Sequence, residues 1–138
     1  MVKIKWLFCT IMIFIILHLL LYLINISYGD DHNHIAGSYF CYQENTPISA
    51  IHDLENSKNN IPPTVLSYNS DGKYITVMQK PSIPQDVVYR IIRYPDYTET
   101  KIYYWIITVS NDSVIGPLCY IDFLTECQDR KISEELRF

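Results

Sequence analysis

Residues 101–109 read Lys-Ile-Tyr-Tyr-Trp-Ile-Ile-Thr-Val, a run that is apolar at both parities. Successive side chains of an extended chain point to opposite faces, so Ile102, Tyr104 and Ile106 share one side and Tyr103, Trp105 and Ile107 the other. Such a run predicts a strand covered on both faces, in the middle of a sheet. Asn111-Asp112-Ser113 then turns the chain towards Val114-Ile115. Further on, Tyr120 to Lys131 has helical period: Phe123, Leu124 and Cys127 lie on one face, and Asp122, Glu126, Asp129 and Arg130 take most of the rest.

Working upstream, Thr64–Asn69 and Lys73–Gln79 flank Ser70-Asp71-Gly72, and Asp-Gly supplies the positive backbone angles of a tight hairpin. Ser38–Gln43 alternates large apolar with smaller or polar groups and reads as a first strand. Ala50–Asn56 fits a helical turn or an edge strand, ended in either case by Pro62-Pro63, which lack amide donors. Val87–Tyr94 has period 3.6 at Val87, Val88, Ile91 and Ile92, but its β-branched content favours a strand. The expected fold is α+β: a mostly antiparallel β-sheet of about five strands with a C-terminal helix packed on it, preceded by an N-terminal hydrophobic helix.

That N-terminal helix comes from residues 6–24, where no acid or base occurs except His18; Lys3 and Lys5 precede it, and Asp30 and Asp31 follow. The pattern reads as an export signal that keeps its lysine end in the cytoplasm and sends the remainder across the membrane. A run of this length lies between a long signal-peptide core and a spanning helix of about 20 residues. Ser27 and Gly29 permit cleavage after Gly29, whereas the length of the run and Asn25 favour a retained anchor. Residues 1–29 are thus a signal peptide or membrane anchor, 30–37 a polar spacer and 38–138 a single small β-rich domain, located in the periplasm or anchored with the C-terminal domain outside.

From Asp30 onward the chain holds all 15 acidic residues against nine Lys and Arg, a formal charge of −6. A surface of that sign repels phosphate backbones and anionic lipid heads, which argues against a nucleic-acid partner. The partners expected are the membrane, through residues 6–24, and a protein.

Tyr103-Tyr-Trp-Ile-Ile107, a short polar turn, Gly116-Pro117-Leu118 and a helix that opens with an acid followed by Phe123 resemble a small bacterial envelope family, domain-of-unknown-function family 3997. The resemblance spans residues 64–132 with a gap. It implies a short export signal followed by one small sheet-plus-helix domain, and no known activity. Where that pattern opens its helix with Ser or Thr, this chain has Cys119, a poor capping acceptor.

Three cysteines follow the signal: Cys41, Cys119 and Cys127. Exported thiols meet an oxidising compartment, and an odd number leaves one unpaired or shared with another chain. Cys119 and Cys127 are about 12 Å apart along a helix, too far to bridge. The alternatives are three small core residues, a Cys41–Cys127 bond, or a Cys41–Cys119 bond.

Ser49, His52 and Asp53 supply the residue types of a hydrolase triad, but no nucleophile-elbow glycines accompany them, and the reading is of a polar loop without catalysis. The ten tyrosines beyond the signal pack in the core or line an aromatic binding face. No cofactor is expected. If the chain is cut before Asp30, the amine of Asp30, two amides and the His32 imidazole can close a square-planar nitrogen set suited to Cu(II) or Ni(II), with His34 nearby; otherwise D-D-H-N-H is a hydrophilic spacer. The functional expectation is an exported, membrane-associated domain acting by protein interaction or as an accessory envelope protein. The main alternative is a periplasmic immunity or inhibitor protein that neutralises a toxin, and a further one is an enzyme using His52.

Overall fold

The computed structural model describes residues 12–20, 31–43 and 49–138. The chain divides into two units, Met1–Asp31 and His32–Phe138. In the first, residues 12–20 form helix α1, whose side chains are exposed; residues 6–11 and 21–24 of the apolar stretch lie outside the described residues. No helix among the described residues is long and apolar enough to cross a membrane.

The second unit is α+β. Strands β1 (Asp31–Ala36), β2 (Tyr39–Gln43) and β3 (Ser49–Asp53) form one sheet in sequence order. Strands β4 (Val65–Ser70), β5 (Tyr74–Gln79), β6 (Tyr103–Thr108) and β7 (Ser113–Leu118) form a second, antiparallel meander. Helix α2 spans Tyr120–Asp129.

The parity of residues 101–109 explains the layering. β6 is hydrogen-bonded to β5 on one side and β7 on the other. Its Trp105 and Ile107 join Ile75 and Val77 against Ala36, Tyr39 and Ile51 of the first sheet. Its Ile106, on the other face, meets Phe123 and Cys127 of α2 and Ile132 and Leu136 of the C-terminal tail. Tyr104 stacks on Phe123 at 5.0 Å between ring centres. The tail is fixed in turn: Thr76 Oγ1 donates to the Leu136 carbonyl at 2.5 Å, and an Arg137 guanidinium nitrogen donates to that of Ile132 at 2.8 Å.

The Asp-Gly hairpin forms as expected. The Asp71 carboxylate accepts from the amides of Lys73 (2.9 Å) and Tyr74 (2.7 Å), and Gly72 takes a φ of +84°. The α2 N-cap is Cys119, and its side chain makes no capping hydrogen bond.

Among the described residues seven strands form where about five were expected: β1, β3 and β7 are additional, and one expected strand is absent. Residues 31–36, in the stretch read as a spacer, pair as β1, and the ambiguous Ala50–Asn56 stretch starts as part of β3, which bridges Ile61 through mutual Ile51–Ile61 amide-to-carbonyl bonds of 3.0 and 2.8 Å. Val87–Tyr94, expected as a strand, is instead a loop. β5, the strand it follows, offers it no edge, being already paired with β4 and with β6. Pro81, Pro84 and Pro95 bracket it and supply no amide donors.

Candidate functional site

The connection from β5 to β6 is long, and its middle is held by side chains. Gln85 acts as a surrogate strand partner for Ile92: its Nε2 donates to the Ile92 carbonyl at 2.6 Å, and its Oε1 accepts from the Ile92 amide at 2.9 Å. Between them Asp86 builds a turn, accepting from the Val88 amide through Oδ1 (3.1 Å) and from the Tyr89 amide through its carbonyl (3.1 Å). Ile92 is driven into the main core at 7% exposure, whereas Val87, Val88 and Ile91 are 96%, 76% and 89% exposed.

The foot of the loop rests on the first sheet. A 2.9 Å hydrogen bond links His52 Nε2 and the Tyr89 hydroxyl, the Tyr42 ring stacks on the imidazole at 4.4 Å, and the Tyr89 ring meets it edge-on at 5.7 Å. These rings, with Tyr94, Pro63 and Pro84, wall a cleft of about 430 Å³. Behind it lies a buried amide network. Gln79 Nε2 donates to the Pro62 carbonyl (2.7 Å) and the Tyr94 hydroxyl (3.1 Å), and Gln79 Oε1 accepts from Trp105 Nε1 (2.7 Å). Burial pushes the Tyr94 phenol up to about 12, against the opposing hydrogen bond from Gln79.

The residue types of a hydrolase triad are not brought together. Along β3, His52 and Asp53 are adjacent and so point to opposite faces. The Ser49 hydroxyl donates to the Val65 carbonyl. Asp53 is 3% exposed and organises the β3 end: it accepts from Ser38 Oγ (2.7 Å), Asn59 Nδ2 (2.9 Å) and the Glu55 amide (2.9 Å). Burial raises its carboxyl, and the hydrogen bonds from Ser38, Asn59 and the Glu55 and Asn56 amides outweigh that, leaving it below the usual carboxylate range.

Cys41, Cys119 and Cys127 are free thiols, so neither the Cys41–Cys127 nor the Cys41–Cys119 bond is present. Cys41 is buried in the first sheet, while Cys127 packs in the separate cluster beneath α2. Burial pushes both of these thiols up; for Cys127, Arg137 opposes and Glu126 adds to the effect. That is the environment of inert core cysteines.

The proposed copper chelate falls largely outside the described residues, which include neither Asp30 nor the side chains of Asp31 and His32. The backbone of β1 starts at Asp31, and His34 is occupied with the Gly37 carbonyl at 3.0 Å and the Phe40 ring at 4.9 Å. Among the described residues, no group of three or more His, Cys, Asp or Glu could hold a metal ion.

Sequence reasoning missed the loop as a site because it read Val87–Tyr94 as a strand. The signal available was the bracket of prolines together with Gln85-Asp86, a side-chain partner and a turn former.

A family model described as a protein of unknown function, DUF3997, matches residues 36–138. The match extends beyond the 64–132 range of the resemblance and contains the whole β5–β6 loop. No curated protein matches the chain, and no solved structure does.

Proposed function

Since the chain belongs to the DUF3997 family, whose description carries no activity, we propose from its own geometry that it is an exported, membrane-associated accessory domain. It works by binding and not by catalysis, and the Gln85–Ile92 loop is its working surface. One observation carries this reading: the chain uses the Gln85–Ile92 and Asp86 hydrogen bonds, with Ile92 buried as an anchor, to order a loop in which Val87, Val88 and Ile91 face solvent. Ordering a residue costs about 1–2 kcal/mol in backbone entropy, and leaving aliphatic side chains exposed returns none of the burial energy that normally offsets it. Preorganised apolar side chains of this kind are a feature of binding sites.

Site-specific photo-crosslinking in cells tests the reading. A photoreactive residue in place of Val88 is expected to give a dominant adduct, protein or lipid, that disappears when Val87 and Ile91 are both changed to Asp. Absence of any adduct at position 88, or an adduct there no stronger than at the remote position Lys58, contradicts it.

A further inference from the structure

The tip of the loop has the composition of an interfacial anchor. Val87, Val88 and Ile91 stand out from the fold, and Arg90 and Arg93, both exposed, are interleaved with them. Tyr97, also exposed, follows on the same segment, while Tyr89 and Tyr94 are turned inward to His52 and Gln79. Aliphatic side chains with adjacent Arg and Tyr are the residues that settle at the boundary between acyl chains and headgroups.

The charge is segregated as well. Residues 80–101 hold Lys80, Arg90, Arg93 and Lys101, four of the nine basic residues after Asp30, but only three of the 15 acids: Asp86, Asp96 and Glu99. At the two ends of the tip, the Asp86 carboxylate is engaged with the Val88 amide and the Lys101 ammonium with the Pro95 and Asp96 carbonyls, which leaves Arg90 and Arg93 as the exposed charges among the aliphatic side chains. The rest of the domain carries five basic against 12 acidic residues, so an anionic surface repels the body and admits this loop. Three aliphatic side chains on a protrusion also offer only a fraction of the roughly 800 Å² per partner of a stable protein interface, whereas a bilayer requires no matching shape.

We propose that the loop inserts into a phospholipid surface, with Val87, Val88 and Ile91 reaching the acyl boundary and Arg90 and Arg93 meeting lipid phosphates. The inference rests on the reading that this loop is the working surface, and it names what that surface meets.

The test uses the full chain in vesicles of phosphatidylethanolamine and phosphatidylglycerol containing brominated phosphatidylcholine, with Trp6→Phe to remove the N-terminal indole and Val87→Trp as reporter. Trp105, at 0% exposure, is an internal reference that reports an intact core. The reporter emission is expected to shift to the blue and to be quenched at least about twofold by the brominated lipid, because an interfacial side chain sits about 5–10 Å into the boundary. Arg90→Glu with Arg93→Glu, or replacing phosphatidylglycerol by phosphatidylcholine, is expected to reduce that quenching. Emission characteristic of water and indifferent to brominated lipid overturns the proposal. So does a blue shift without quenching, which places the loop against protein, and so does quenching unchanged by the double Glu variant. In those cases a position-88 protein adduct in cells leaves the binding reading standing, and absence of any adduct removes it too.

Discussion

The indole of Trp105 occupies the space that a side chain at position 116 would need: a Cβ built on Gly116 lies 2.6 Å from Trp105 Cε3 and 2.7 Å from Cδ2. Gly116 also has a φ of +141°, in a region that L side chains rarely adopt, and the β6–β7 register shifts between Tyr104 and Ile106 around the indole. The Tyr-Tyr-Trp and Gly-Pro-Leu motifs are therefore two halves of one packing arrangement. Gly116→Ala is expected to destabilise the domain by about 2–4 kcal/mol, combining overpacking with backbone strain. Urea unfolding checks this, and a loss under about 0.5 kcal/mol means that the indole has room to move.

Gln79 joins Trp105 Nε1, Tyr94 and the Pro62 carbonyl in a buried network. Gln79→Met keeps the volume but removes the partners of two buried polar groups, the Trp105 N–H and the Pro62 carbonyl. Each orphaned group costs about 1–3 kcal/mol, so a loss of about 2–6 kcal/mol is expected. Equal stability of Gln79→Met and the parent would mean that water or another group replaces the amide.

Neighbouring loop residues should behave oppositely. Ile91 is 89% exposed and Ile92 is 7% exposed, so Ile91→Ala is expected to change stability by less than about 0.5 kcal/mol, while Ile92→Ala costs about 2–4 kcal/mol. Similar costs at the two positions would contradict the burial of Ile92 beside an exposed Ile91.

Asp53 and Tyr94 contribute to the pH dependence of stability with opposite signs. The folded-state pKa of Asp53 lies below its unfolded value of about 3.9, so its contribution to stability is present above that pH and is lost as pH falls through the folded value. Tyr94 is raised to about 12 from about 10, so its contribution is intact below pH 10 and is lost as pH rises towards 12. Urea midpoints across pH are expected to fall below about pH 4 in the parent and less in Asp53→Asn, measured relative to its own neutral value. At the alkaline end, Tyr94→Phe is expected to flatten the fall above pH 10; an unchanged slope in either variant contradicts the corresponding assignment.

What the sequence disclosed followed from periodicity and local turn chemistry. The two-sided run at 101–109, the Asp71-Gly72 hairpin and the Phe123–Cys127 face of the helix each carry their cause within a few residues. β1 was hidden because Asn33 and His34 are exposed at a sheet edge and the adjacent residues Ile35 and Ala36 both touch the core, which leaves no apolar alternation to read. Val87–Tyr94 misled because β-branched composition reports a preference for strands, whereas a strand needs a free neighbouring edge, and β5 has none. The site's ties join residues far apart in sequence, such as His52 with Tyr89 and Gln79 with Trp105, so no local pattern announces them.

If the exposed tip of the Gln85–Ile92 loop serves binding, as proposed, it contributes little to the fold. The most direct measurement pairs thermal unfolding with position-88 photo-crosslinking in the same Val87→Asp, Ile91→Asp variant of the full chain. A melting temperature within about 2 °C of the parent, as for substitutions at exposed positions, is expected together with loss of the adduct. An adduct that persists at parental yield in a variant of unchanged melting temperature would contradict the proposal.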